Sequence, residues 1–268
     1  TGAGAGIGRA VAETFAREGA HVVVADRDGE AARETADAII KNNGAAQAET
    51  IDVTDTVEVK ALMQRIANKF GRLDVLVNNA GVGERSDFRH LDDAAWVKVW
   101  KTNVDGTVRC AREAFALLKA SGKASIINLS SVMATKHTRQ MSVYSATKGA
   151  VSALSRSLAV EYAPYGIRVN ALCPGYVETA LIGRYMQKPM IAKALLPRVK
   201  PQGTYLAIGG GMADIIVPGN GIMNVSQAAL LIRLRDDSRI GQGLYDRLEA
   251  RRAARRPVKS SGGTYYAP

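Results

Sequence analysis

Cysteine is scarce in this chain of 268 residues, which carries only Cys110 and Cys173. Two thiols exclude a disulfide framework and make the cytoplasm the expected compartment. Long apolar runs are missing as well. Stretches such as "VVVA" and "VLV" fall far short of a bilayer span, so no membrane association is expected. The opening residues are small and turn-like rather than basic and then apolar, which is not how a signal peptide reads. No internal repeat occurs, and no linker forces a second domain. Acidic residues are outnumbered, 25 against 36 basic ones, for a net charge of +11. Such an excess suggests nucleic acid. However, six basic and two acidic residues are packed into Asp246–Lys259, which reads as a solvated helix end or mobile tail over 247–268. No nucleic-acid partner is expected.

What is present is alternation. "HVVVADRD", "AQAETIDV", "LDVLVNNAG", "ASIINLSS" and "IRVNALCPG" read as strands. Between them lie the helical patterns "GEAARETADAIIKNNG", "TVEVKALMQRIANKFGR", "DDAAWVKVWKTNVDGTVRCAREAFALLKASG" and "MSVYSATKGAVSALSRSLAVEYAPYG". Strands alternating with helices imply βαβ units, hence an α/β fold with a doubly wound parallel sheet and helices on both faces. With 47% hydrophobic residues, one domain over 1–268 has enough to bury. The pattern loosens from Gly183. Residues 183–225 hold many prolines and glycines and read as a long substrate-loop region with short helices. "NVSQAALLIRLRDD" again looks helical, with Val225, Ala229, Ile232 and Leu234 roughly on one side, and "QGLYDRL" suits a last strand.

A strict G-x-G-x-x-G is absent from the opening "TGAGAGIG". The pattern that fits is T-G-x-x-x-G-x-G on Thr1, Gly2, Gly6 and Gly8, with a helix starting near Ile7 and carrying Ala10, Val11 and Phe15. The N–H groups and dipole of such a helix face a pyrophosphate, and glycine is required where a Cβ would hold the phosphate off. Asp26 ends the next strand, 24 residues after Gly2. A carboxylate there accepts hydrogen bonds from an adenosine ribose and repels a 2′-phosphate, favouring NAD over NADP. Arg27 pulls the other way, since it is able to pair with a 2′-phosphate, so NADP stays open as a second cofactor.

"YSATK" sets Tyr144 and Lys148 four apart on one helix face. A phenol ionises near a pH of about 10 and is a poor base at neutrality. A neighbouring ammonium and an oxidised nicotinamide favour the phenolate, which then takes a proton from an alcohol or, as the phenol, returns one to a carbonyl. Ser131 ends "IINLSS", 13 residues before Tyr144, and its hydroxyl suits a substrate oxygen. Asn103 lies mid-helix, where asparagine is mildly unfavourable, and its amide or carbonyl is suited to hold a water next to Lys148.

These residues together resemble the short-chain dehydrogenase/reductase family. The resemblance rests on "TGAGAGIG", Asp26, the "DV" of Asp52 and Val53, "NNAG" at 78–81, Asn103, Ser131, "YSATK" and "PGYVET" at 174–179, in order from residue 1 to about 180. It implies that Asp52 binds the adenine amino group and Val53 lines the same pocket. Asn79, Ala80 and Gly81 pass under the adenosine ribose. Tyr144 is the acid/base, Lys148 lowers its pKa and bonds the nicotinamide ribose, Ser131 polarises the substrate oxygen, and Asn103 completes a proton relay. The backbone at Pro174, Gly175 and Val177, with the Thr179 hydroxyl, holds the carboxamide. The implied reaction interconverts a secondary alcohol and a ketone without a metal, in a homodimer or homotetramer.

The chain departs from that family at both ends. Family members carry roughly five to ten apolar residues before the Thr-Gly, forming the central strand of a 3-2-1-4-5-6 sheet. None precede Thr1, so a longer parent chain is expected. The usual terminal G-x-x-x-x-V-D-G-G is replaced by "DDSRIGQGLYDRLEARR". The alternatives are an NADP-linked 3-oxoacyl-type reductase and a nucleotide-binding scaffold without turnover. Around the pocket, His137, Arg139, Met141, Tyr185, Met186 and Lys188 suggest a medium-sized hydrophobic substrate with an anionic group. Cys110 and Cys173 read as buried small hydrophobes.

Overall fold

The computed structural model describes residues 1–175, 177 and 179, and the backbone of 209–216 and 222–226. All belong to one compact unit, Thr1–Gln227, and the second unit, Ala228–Pro268, holds none of them. The expected helix beyond Ser226, the strand in "QGLYDRL", the basic tail, and Tyr185, Met186 and Lys188 therefore lie outside the described residues.

Five parallel strands alternate with helices: α1 (Gly6–Arg17), β1 (His21–Asp26), α2 (Gly29–Lys41), β2 (Ala45–Thr50), α3 (Thr56–Phe70), β3 (Val75–Asn78), α4 (Asp93–Trp100), α5 (Gly106–Glu113), α6 (Phe115–Ser121), β4 (Ser125–Leu129), α7 (Ser142–Tyr162) and β5 (Arg168–Leu172). The starts and stops follow local chemistry. Asp28 accepts from the Glu30 and Ala31 amides at the head of α2, and Asp55 from the Val57 and Glu58 amides at the head of α3, each satisfying N–H groups that the helix leaves unpaired. Gly71, with φ of 68°, ends α3 in the left-handed region that glycine enters freely.

β1 pairs with β2, and β3–β4–β5 form a separate ladder. The Ala3 amide donates to Ala25 O at 3.2 Å and the Thr1 nitrogen to Val77 O at 2.9 Å. Residues 1–3, which are not themselves a strand, thus stand between the two ladders, giving the lateral order β2, β1, residues 1–3, β3, β4, β5. Neighbouring residues of a strand face opposite ways. Val24 packs with Ala12, Ala16, Ala32, Ala36 and Ile39 of α1 and α2, while Ala25 joins the larger cluster built on Val59, Leu62, Leu118, Ile126 and Ile167. Helices therefore cover both faces.

The long helical region expected before β4 is present as α4, α5 and α6, with a π-helical turn over Lys101–Asp105 between α4 and α5. One sequence reading is corrected. Residues 209–216 and 222–226, expected to hold short helices and to start another at Val225, are antiparallel strands β6 (Gly209–Ile216) and β7 (Ile222–Ser226). The β-branched Ile215, Ile216, Ile222 and Val225 favour that extended backbone, and a periodicity spanning so few residues does not separate the two states.

Candidate active site

The opening glycines are held by tight contacts rather than by preference alone. Gly2 has φ of 61°, and a Cβ on it would lie 2.8 Å from Ala80 Cα. A Cβ on Gly8 would overlap the Gly2 carbonyl oxygen and sit 2.6 Å from Asn79 Nδ2. Asn79 is the clamp: its Nδ2 donates to the Thr1 and Gly2 carbonyls at 3.1 and 2.8 Å. In return Thr1 Oγ1 accepts from the Asn79 and Ala80 amides at 3.2 and 3.1 Å. Thr179 approaches the same loop, its Cγ2 lying 3.2 Å from where a Gly6 Cβ would be. α1 begins at Gly6 with no side-chain cap and no acidic residue in its first turn. Its leading N–H groups, near Ile7 and Gly8, thus face outward in an unopposed positive dipole.

Asp26, at the end of β1, accepts from the Gly4 amide through Oδ2 at 2.9 Å and from the Asp28 amide through Oδ1 at 3.0 Å. Each oxygen keeps a lone pair, and the two backbone donors fix where those lone pairs point. Thr35, buried in α2, donates to Gly4 O at 3.1 Å and holds the loop from behind. Asp52 accepts from the Thr54 amide at 2.8 Å. With Arg27, Lys98, Lys101 and Thr102 it lines a cavity of about 480 Å³. Val53 is buried against Gly106, where a Cβ would come within 2.7 Å of it. A dinucleotide fits this set: a glycine cradle that any side chain would fill, a helix end for the pyrophosphate, and a carboxylate at ribose distance along β1.

The side chains expected to react, Ser131, Tyr144 and Lys148, stand just after β4 and in α7. Burial pushes the Tyr144 phenol above its ordinary 10, opposed by a hydrogen bond with the Ser131 side chain. Lys148 is buried, and its Nζ lies 5.6 Å from the Tyr144 ring centre and donates to Leu129 O at 2.6 Å. Burial lowers its pKa from 10.5 to about 8, against the influence of Cys173, which raises it. Ser131 Oγ also accepts from the Met133 amide at 3.1 Å. Asn103 sits in the π-helical turn and pairs with Val82 both ways, accepting from its amide at 2.8 Å and donating to its carbonyl at 3.0 Å. A Cβ on Gly81 would be 3.3 Å from Asn103 Oδ1 and 3.5 Å from Lys148 Nζ, so both groups crowd one stretch of backbone. Pro174 O accepts from the Val132 amide at 3.0 Å, which brings the Pro174–Gly175 turn alongside Ser131, while Val177 is exposed.

His137 lines a cavity of about 520 Å³ with Phe88, Ala134, Gln140, Ser142 and Ser145. Cys110 is buried in the core and Cys173 only half-buried. Among the described residues no cluster of three or more His, Cys, Asp or Glu is arranged for a metal, and no helix is long and apolar enough to cross a membrane.

The buried ammonium makes a prediction about stability. Between pH 8 and 10.5 the unfolded chain holds the Lys148 proton and the folded chain does not, so stability rises with pH across that window. Below it, the cost of burying the charge is present in full. Lys148→Met removes the group, so the wild type should gain on the variant as pH climbs through the window in urea unfolding. Parallel pH profiles would contradict this.

A doubly wound parallel sheet with a glycine cradle, Asp26, and a Ser-Tyr-Lys constellation defines a class, and the comparisons agree. Residues 1–189 match the family model described as short chain dehydrogenase. The chain belongs to the short-chain dehydrogenase/reductase family and is an oxidoreductase of CH–OH groups. It is 43% identical over 183 residues to a cis-4-hydroxycyclohexanecarboxylate dehydrogenase of Sinomonas cyclohexanicum, covering 68% of this chain and 73% of that one. Meso-2,3-butanediol dehydrogenase of Serratia marcescens is 39% identical over 189 residues, 70% of this chain and 74% of that one. Among solved structures, a gluconate 5-dehydrogenase from Burkholderia cenocepacia in complex with NADP and tartrate superposes with a TM-score of 0.70 at 33% identity, over 74% of this chain and 78% of the other.

Proposed function

We propose that the chain is an NAD-dependent dehydrogenase that interconverts a secondary alcohol and a ketone, with Tyr144 as the acid/base. The observation that carries this reading is the buried Lys148, whose Nζ lies 5.6 Å from the Tyr144 ring centre in the helix that follows Ser131. Bound along the glycine loop, a nicotinamide dinucleotide supplies the acceptor or donor of hydride. The chain handles the proton. As the carbinol C–H leaves with its electron pair, the Tyr144 phenolate takes the O–H proton and the C=O bond forms. In reverse, the phenol returns that proton to the carbonyl oxygen. Ser131 holds the oxygen within reach, and the Lys148 ammonium favours the phenolate. Lys148 bonds the nicotinamide ribose, Asn103 completes the proton relay, and Pro174, Gly175, Val177 and Thr179 hold the carboxamide. Asp52 and Val53 take the adenine, and Asn79, Ala80 and Gly81 pass under its ribose.

The preference for NAD follows from Asp26. Its two backbone donors hold the carboxylate in place, where its charge repels a 2′-phosphate. Arg27, Lys98 and Lys101 around the neighbouring cavity favour some tolerance of NADP. The substrate reading is a medium-sized secondary alcohol with an anionic group. It is supported by Lys136 and Arg139 in the loop before Tyr144, and by a relative named for a hydroxycyclohexanecarboxylate.

The test follows reduced-dinucleotide absorbance with either cofactor and a panel of secondary alcohols that includes cis-4-hydroxycyclohexanecarboxylate and 2,3-butanediol. NAD should be preferred by about tenfold or more, equivalent to about 1.4 kcal/mol, and Asp26→Asn should narrow that ratio. Equal use of both cofactors by the wild type removes the Asp26 argument. Tight NAD binding without turnover on any alcohol favours a scaffold.

A further inference from the structure

Thr147 lies on α7 between Tyr144 and Lys148, and it is fully buried. Its Oγ1 donates to the Tyr144 carbonyl at 2.8 Å and accepts from Asn103 Nδ2 at 3.0 Å. A hydroxyl has one proton to give. With that proton committed to Tyr144 O, Thr147 offers Asn103 only a lone pair. The Asn103 amide is therefore held one way round, with Nδ2 toward Thr147 and Val82 O and Oδ1 toward the Val82 amide. The reversed amide would set Oδ1 against two acceptors in a site closed to water, and a buried unpaired polar atom is costly.

The hydroxyl thereby closes a ring across three separate pieces of chain. Tyr144 and Lys148 belong to α7, Asn103 to the π-helical turn, and Gly81 and Val82 to the segment after β3. At Gly81 the ring returns to its start, since Asn103 Oδ1 and Lys148 Nζ approach the same backbone. We propose that Thr147 is a positioning residue for the reaction, fixing the Asn103 amide and, through Val82 and Gly81, the backbone against which Lys148 and the nicotinamide ribose are set. This rests on the reading of Tyr144 as the acid/base. Thr147 is fully buried and acts through Asn103.

A hydroxyl-specific series tests it. Thr147→Val keeps the shape and deletes the hydrogen bonds, and Thr147→Ser keeps the hydroxyl. Turnover is followed on the best alcohol of the panel above, and Tyr144 ionisation by ultraviolet difference titration of the protein without dinucleotide. The valine variant should lose about tenfold in kcat, the scale of one buried hydrogen bond, with KM for the alcohol little changed and the Tyr144 titration displaced. The serine variant should restore both readouts. In an Asn103→Ala background, Thr147→Val should cost almost nothing further, because the group it positions is gone.

Wild-type kcat and an unmoved titration in Thr147→Val overturn the proposal. So does an equal loss with and without Asn103, which marks Thr147 as merely structural. Should the valine variant not fold, Thr147→Ala is read the same way. Failure of the underlying reading is separate: turnover that survives in Tyr144→Phe removes the acid/base, whatever the Thr147 series gives.

Discussion

Tyr144→Phe should lower turnover by roughly 10²–10⁴-fold, the range a positioned acid/base contributes, while NAD affinity stays near the wild-type value. The substitution deletes one oxygen and keeps the ring beside Lys148, so the packing of α7 survives and the loss is chemical. The phenol gives this prediction a second limb. Burial alone moves it away from ionisation at neutral pH, so the fold by itself does not make Tyr144 a base. Two positive groups must do so, the Lys148 ammonium and the oxidised nicotinamide. Lys148, with its pKa near 8, is mostly charged at pH 7. The Tyr144 phenolate band should therefore appear at lower pH with oxidised dinucleotide bound than without it. An unchanged titration on binding would remove the electrostatic account, and full activity in the phenylalanine variant would remove the acid/base itself.

Gly8→Ala should be the most damaging glycine-to-alanine change among the described residues. Within a helix, alanine normally stabilises relative to glycine by about 0.5–1 kcal/mol, so propensity argues for the change. Contact argues harder against it. The new carbon would overlap the Gly2 carbonyl oxygen and press on Asn79 Nδ2, the donor that clamps the loop. Backbone has to shift, at a cost of about 1–3 kcal/mol for such overpacking, and the cradle shifts with it. Urea unfolding should show the loss of stability, and calorimetric titration should show NAD affinity falling by far more than the stability change explains. Wild-type affinity in this variant would mean that the dinucleotide does not lie over Gly8.

Much of this was legible in the sequence, for identifiable reasons. β1, with Val24 and Ala25 facing different helices, is apolar on both sides and announces a covered parallel strand. Asp26, Asn79 and Ser131 stand at the ends of such strands, where polar residues stand out against apolar runs. What stayed hidden depends on tertiary pairing. Thr35 and Thr147 look like ordinary helix residues until their hydroxyls meet Gly4 O and Asn103. The chain of hydrogen bonds from Asn78 to Asn128 to Ser155 crosses two strands and α7, which no local pattern records. β6 and β7 were misread because glycine and proline signal irregularity and leave open what lies between them.

The π-helical turn at Lys101–Asp105 has a consequence in the currency of insertions and deletions. Gly106 N–H reaches back five residues to Lys101 O, so the helical ladder carries one residue more than an α-helix allows. Removing Thr102, which lies between them, would leave the net charge untouched and would regularise the ladder. It would also advance everything downstream by about 100°. Either Asn103 leaves Val82 and Thr147, or Cys110, Ala111 and Ala114 leave the core. For this segment length is the constrained property, and a single-codon deletion there would be worse tolerated than most substitutions.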